Sequence, residues 1–230
     1  MNAAAAARRP RDAATLILLD RANGRRFVLL GKRHARHAFM PNKYVFPGGA
    51  LDPADRRMSV AAPLDTEVEA KLMAATRRPS AGLARALALA AIRETFEETG
   101  LAVGVLGRPT NPPAGAWARF AATGVAPALD LLDFVARAIT PPGRSRRYDA
   151  RFFVADAASI ACRVEGIVHD GSELVELVWT PLDEARRLDL PLITRAVLAD
   201  LAAATEAGMD RARPRPFYRQ LDGRNWRGEL

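Results

Sequence analysis

Cysteine appears once in the chain, lysine only at Lys32, Lys43 and Lys71, and no apolar run approaches the roughly 20 residues that a membrane-spanning helix needs. The lone Cys162 excludes an internal disulfide and a cysteine-built zinc site. That usage fits a reducing compartment, so a soluble, cytoplasmic protein with no membrane partner is expected. Cys162 itself reads as a small hydrophobe and not as a nucleophile. Residues 1–11 lack acidic side chains and faintly resemble a transit peptide, but they have no secretory apolar core; residues 1–12 are expected to form a flexible tail. Because lysine is scarce, the net charge of +8 is carried by arginine. Such an excess favours polyanionic partners, although codon composition explains it equally well. No motif resembling a nucleic-acid-binding element accompanies it, so nucleic acid is not the expected partner.

The length suits one domain with appendages. Branched apolar runs at 15–20 and 26–31 flank Asn23-Gly24, a strong hairpin signal. The run Tyr44-Val45-Phe46 stops at Pro47-Gly48-Gly49, which reads as a strand feeding a glycine loop. Helices are expected at 66–76, at 81–99 between an N-capping Ser80 and a stop at Gly100, at 130–138 and at 191–204. Strands are expected at 101–106, 151–155 and 174–180. The stretch 211–230, with Arg213-Pro214-Arg215-Pro216, has little periodicity and reads as a C-terminal tail, extended on the surface or disordered. This order predicts an α/β sandwich, with helices on both faces of a mixed sheet, in a single domain at 13–210.

The chemistry concentrates in Arg93-Glu94-Thr95-Phe96-Glu97-Glu98-Thr99-Gly100. Glu94 lies one helical turn from both Glu97 and Glu98, so the three carboxylates share an arc of about 100°, while Leu89, Ile92 and Phe96 gather opposite. A solvated face is the ordinary explanation of a charged helix. It fits poorly here: like charges at these spacings repel by roughly 0.2–0.5 kcal/mol per pair, and Arg93 precedes Glu97, the less favourable order. A multivalent cation would remove the repulsion, and all-oxygen donors without Cys or His nearby suit Mg²⁺ or Mn²⁺.

This segment resembles the second half of the signature of the Nudix hydrolase superfamily. The Nudix box reads Gly, five residues, Glu, seven residues, then Arg-Glu, an apolar residue, any residue, Glu-Glu, any residue, Gly and an apolar residue. Arg93 to Leu101 match it, with Thr95 where the family prefers an aliphatic residue. Phe46-Pro47-Gly48-Gly49 matches the first half, and Asp55 stands where the family has Glu. Between Asp55 and Arg93 lie 37 residues in place of seven, an insertion at about 56–80. Closing a longer loop costs only about 0.6 kcal/mol per doubling, so the halves can still meet.

The resemblance implies a Nudix-type α/β/α sandwich with a mixed β-sheet and a helical insertion in the box. It implies a reacting centre of Glu94, Glu97, Glu98 and Arg93. Glu97 and Glu98 would be the main metal ligands, Glu94 a further ligand or the group orienting the water, and Gly49 a ligand through its carbonyl; Arg93 would brace a glutamate. The reaction implied is attack of a metal-activated water on one phosphorus of a diphosphate. Asp55, Glu173 and Glu176 are candidates for an additional carboxylate, the last two with as good a claim to being solvent-facing strand residues.

The segments at 28–33, 46–55 and 146–153 are similar to the coenzyme A diphosphatase-like branch. This implies cleavage of coenzyme A or acyl-CoA to (acyl-)phosphopantetheine and adenosine 3′,5′-bisphosphate. Arg33, Arg147 and Arg151 are the substrate-binding candidates, because bidentate guanidinium contacts suit a phosphate, although 144–151 serves equally well as a solvated loop. His34, His37 and His169 read as surface or structural residues, and Trp117, Trp179 and Trp226 as packing residues. The alternatives are hydrolysis of ADP-ribose, NADH or another nucleotide, and, in a different class, a non-catalytic nucleotide-sensing module. Such a module would be expected to have lost the box carboxylates. Homodimer formation stays open, and deleting the insertion is expected to alter substrate preference or assembly more than metal binding.

Overall fold

The computed structural model describes residues 9–36 and 40–230. His37 and most of the expected N-terminal tail lie outside them. Strands β1 (Arg11–Ala22) and β2 (Arg25–Arg33) form the expected hairpin. Its turn residues Asn23 and Gly24 have φ of 51° and 74°, the positive values that a two-residue turn of this hand requires. Arg11 and Asp12, assigned to the tail from sequence, instead begin β1 and pair with Tyr148 and Asp149. β3 (Tyr44–Val45) pairs with β2. The expected glycine loop contains a strand, β4 (Gly48–Ala50), paired with β1 so closely that a Cβ on Gly48 would lie 2.6 Å from the Ala14 carbonyl oxygen.

α1 (Thr66–Met73) and α2 (Ala81–Thr99) follow. The Ser80 hydroxyl oxygen accepts the Leu83 N–H at 3.1 Å, and Gly100 ends α2 at φ 77°. The apolar run after it is broken at Gly104 into β5 (Leu101–Val103) and β6 (Val105–Leu106). A short helix, α3 (Ala116–Ala122), and β7 (Val125–Ala126) come next. β8 (Asp133–Ile139) overturns the helix expected at 130–138. Buried on both faces, it lacks the alternation that marks a half-exposed strand, so its apolar run fits either period.

The remaining elements are β9 (Tyr148–Asp156), β10 (Ile160–Arg163), β11 (Leu174–Pro181), α4 (Leu192–Glu206), β12 (Pro216–Leu221) and β13 (Arg224–Glu229). The last two replace the expected C-terminal tail. β12 joins β8 in parallel and carries β13 on its outer edge. The Arg219 guanidinium lies over the rings of Phe217 and Trp226, at 5.0 and 4.5 Å, and Arg215, from the Arg-Pro run that read as a tail, is buried and donates to the Phe134 carbonyl.

The nine-stranded mixed sheet runs β11-β2-β1-β9-β8-β12-β13, with β3 and β4 attached beside β2 and β1. Along β1, Ala14, Leu16 and Leu18 join the core under α2, and Ile17 and Leu19 join the core under α4. The architecture is therefore the α/β/α sandwich expected. The insertion is not separable from it: Met58, Leu64, Val68 and Leu72 are buried in the α2-side core, and Arg137 donates to the carbonyls of Ala74 and Ala75. Removing the insertion would open that core. Leu72→Ala is expected to cost about 2–5 kcal/mol. The check is the urea midpoint, and an unchanged value would contradict it. Among the described residues, no helix is long and apolar enough to cross a membrane.

Candidate active site

The last two turns of α2 lie against β4. Ile92 and Phe96 anchor them in the core, and the glutamates emerge on the side facing the glycines. Glu98 is only 7% exposed and accepts the Gly48 N–H at 3.1 Å. Glu94 lies against Gly49, where a Cβ would stand 2.5 Å from its carboxylate. Burial pushes Glu98 well above the usual carboxylate range, the charges of Glu173 and Glu94 push it further, and the Gly48 N–H and Arg33 offset this only in part. Burial likewise raises Glu94, with Arg93 opposing and Glu97 and Glu173 reinforcing the shift. The charges of Glu94, Glu98 and Glu173 thus act on one another, with Arg93 paired to Glu94. Arg33 reaches this group through an ion pair with Glu173 at 2.6 Å.

Behind the cluster, Arg93 clamps Asp55 through Nε and Nη2 at 2.8 and 3.1 Å. Its Nη1 donates to both Glu94 and Glu97 at 2.8 Å, and Nη2 also donates to the Ala50 carbonyl. Burial alone would lower this guanidinium's pKa; the hydrogen bond to Asp55 and the charges of Glu94 and Asp55 more than reverse that, and the net shift is upward. Asp55 is fully buried and accepts two further hydrogen bonds, from Trp117 Nε1 at 2.9 Å and the Asp52 N–H at 2.8 Å. Its acceptor capacity is spent on these four donors. Asp55 is therefore the anchor that joins the two distant halves of the motif, and not the additional carboxylate it was a candidate for.

Glu97 differs from its neighbours. One oxygen accepts from Arg93 and the other from Arg119 of α3, at 3.1 Å. Among the described residues, no three carboxylate, thiol or imidazole side chains stand ready to enclose a cation. The donors fit a hard divalent ion in kind, since they are all oxygens with an excess of negative charge, and each Glu97 oxygen keeps a second lone pair.

No family model matches the chain. The crystal structure of a Nudix hydrolase from Alicyclobacillus acidocaldarius has a TM-score of 0.65 and 29% sequence identity, covering 89% of this chain and 96% of its own. In sequence and in fold the chain is similar to the Nudix hydrolases. Acyl-coenzyme A diphosphatase NUDT19 from Gallus gallus is 29% identical over 76% of this chain, and the chain spans 62% of that protein's length.

The remaining candidates fall on either side of the glutamates. Glu173 is brought to them and Glu176 is not. On β11, Leu177 and Trp179 pack on the α2-side core and Val178 on the other, so alternation puts Glu176 on the α4 side, where it accepts from the Tyr44 hydroxyl at 3.3 Å. Arg151 is 1% exposed and paired with Asp12 and Asp149 at 2.7 and 3.2 Å, so it braces strands and cannot receive a substrate phosphate. Arg147 donates Nε to the Thr140 carbonyl beside the turn that joins β8 and β9. Thr95 fits an aliphatic position because its hydroxyl donates to the Ala91 carbonyl at 2.8 Å. Sequence reasoning missed α3 and Arg119; the signal present was Trp117 and Phe120 at i, i+3 between Gly115 and Gly124.

Gly49→Ala is expected to displace the Glu94 carboxylate by about an ångström and lower turnover by up to about 100-fold. Steady-state rates at saturating Mg²⁺ check this. A near-normal rate would place Glu94 outside the reacting centre.

Proposed function

We propose that the protein is a divalent-cation-dependent diphosphatase that cleaves coenzyme A or acyl-CoA to (acyl-)phosphopantetheine and adenosine 3′,5′-bisphosphate. The observation that carries the reaction class is the setting of Glu98 and Glu94 against the β4 glycines, with the charge of Glu173 acting on both and Arg93, anchored on Asp55, holding Glu94 from behind. Glu94, Glu97, Glu98 and the Gly49 carbonyl would hold Mg²⁺ or Mn²⁺. Bound there, the cation would neutralise the diphosphate and supply a water acidic enough to attack near neutral pH. Arg93 fixes Glu94 and Glu97, the Gly48 N–H fixes Glu98, and Arg33 lends positive charge at the rim to the substrate's phosphates. A P–O bond forms to the water oxygen as a bridging P–O bond breaks. The products are two phosphate monoesters, with the proton passing to product or solvent.

The coenzyme A substrate rests on the likeness to the chicken enzyme and on the segments at 28–33 and 146–153. The test is product analysis after incubation with Mg²⁺ or Mn²⁺ and, separately, coenzyme A, acetyl-CoA, ADP-ribose and NADH, with chelator controls. Cation-dependent release of adenosine 3′,5′-bisphosphate is expected. Cleavage of only ADP-ribose or NADH would reject the substrate and keep the reaction class. Turnover of none would count against both.

A further inference from the structure

Two cations hold Glu97, and they are held very differently. Arg93, 8% exposed, is shared among Asp55, Glu94 and Glu97, and leaving them would strand a buried Asp55 carboxylate. Arg119 is 63% exposed and is joined to a 31% exposed Glu97 at 3.1 Å. Exposed pairs of this kind are weak. The position of Arg119 is nevertheless built into the fold. Phe120 packs edge-on against Phe96 at 5.3 Å and against Trp117 at 5.4 Å, and Trp117 Nε1 donates to Asp55. α3 is thereby pinned to the residue preceding Glu97 and to the Arg93 anchor, with Arg119 projecting toward the carboxylate rim.

We propose that Arg119 is a positioning residue of the diphosphate site: a cationic placeholder on Glu97 that yields to the divalent cation and then engages the substrate's phosphate oxygens. The inference rests on reading the glutamate cluster as a cation site. Of the two arginines on Glu97, only Arg119 can let go without leaving a buried charge unpaired. Once released it stays near the site, because α3 is fixed, and its planar fork suits non-bridging phosphate oxygens. Removing it therefore has two effects of opposite sign: the cation binds more tightly and the diphosphate more weakly. A merely structural side chain would shift both in the same direction.

The test compares the full chain with Arg119→Ala and Arg119→Lys by two titrations. One follows Mn²⁺ binding by electron paramagnetic resonance, and the other follows methylenediphosphonate, a non-hydrolysable diphosphate, by calorimetry in Mg²⁺. Arg119→Ala is expected to bind Mn²⁺ about two- to fivefold more tightly and methylenediphosphonate about tenfold more weakly. Arg119→Lys is expected to recover part of the second effect. Unchanged or weakened Mn²⁺ binding by Arg119→Ala would overturn the placeholder role, and unchanged diphosphonate binding would overturn the phosphate contact. Absence of Mn²⁺ binding in the wild-type chain would instead reject the cation site itself.

Discussion

Glu98→Gln is expected to lower turnover by at least about 100-fold while leaving the fold intact and raising the melting temperature. The amide keeps the shape and can still accept the Gly48 N–H, but it removes the charge a divalent cation needs. The stability effect follows from the direction of the Glu98 shift. A carboxyl whose folded pKa lies above its unfolded value costs stability at neutral pH, and the cost fades as pH falls through the folded pKa toward the unfolded one. Gln removes that neutral-pH cost. Paired measurement of kcat and thermal melting without added cation checks both halves. A near-normal rate would refute the site assignment, and a lowered melting temperature would refute the electrostatic account of it.

Asp55→Ala is expected to have the largest effect on stability, about 3–5 kcal/mol. It strands Arg93 Nε, Trp117 Nε1 and the Asp52 N–H at a fully buried position and leaves Arg93 Nη2 with the Ala50 carbonyl. For a chain of this size that corresponds to a fall in melting temperature of roughly 6–20 °C. Turnover should fall as well, because Arg93 then loses the partner that aims it at Glu94 and Glu97. Differential scanning calorimetry checks this. An unshifted transition would mean that the two halves of the Nudix box are held together by something other than this ion pair.

What could be read from sequence was what local physics writes locally. Asn23-Gly24 demands a hairpin, Ser80 and Gly100 bracket α2, and the one-turn spacing of Glu94, Glu97 and Glu98 puts all three on the last two turns of that helix. The misses lie where tertiary context decides. β8 is a central strand buried on both faces, so its pattern carries no period. β12 and β13 are made legible only by β8 beside them and by the stacking of Arg219 on Phe217 and Trp226. α3 has seven residues and no side-chain cap, too little for a helix signal. The role of Asp55 is invisible at a distance of 38 residues from Arg93 and plain once both are buried together. The separation of Glu173 from Glu176 needed the β11 register, which shifts between Leu174 and Glu176.

The most direct measurement is Mn²⁺ binding to the intact chain and to a Glu94→Gln/Glu98→Gln double variant, followed by the loss of the free-ion electron paramagnetic resonance signal. The wild-type chain is expected to take up Mn²⁺ and the double variant to leave it free, with both folded by circular dichroism. Equal uptake by the two would contradict a divalent-cation site at the junction of α2 and β4, as would no uptake by the wild-type chain.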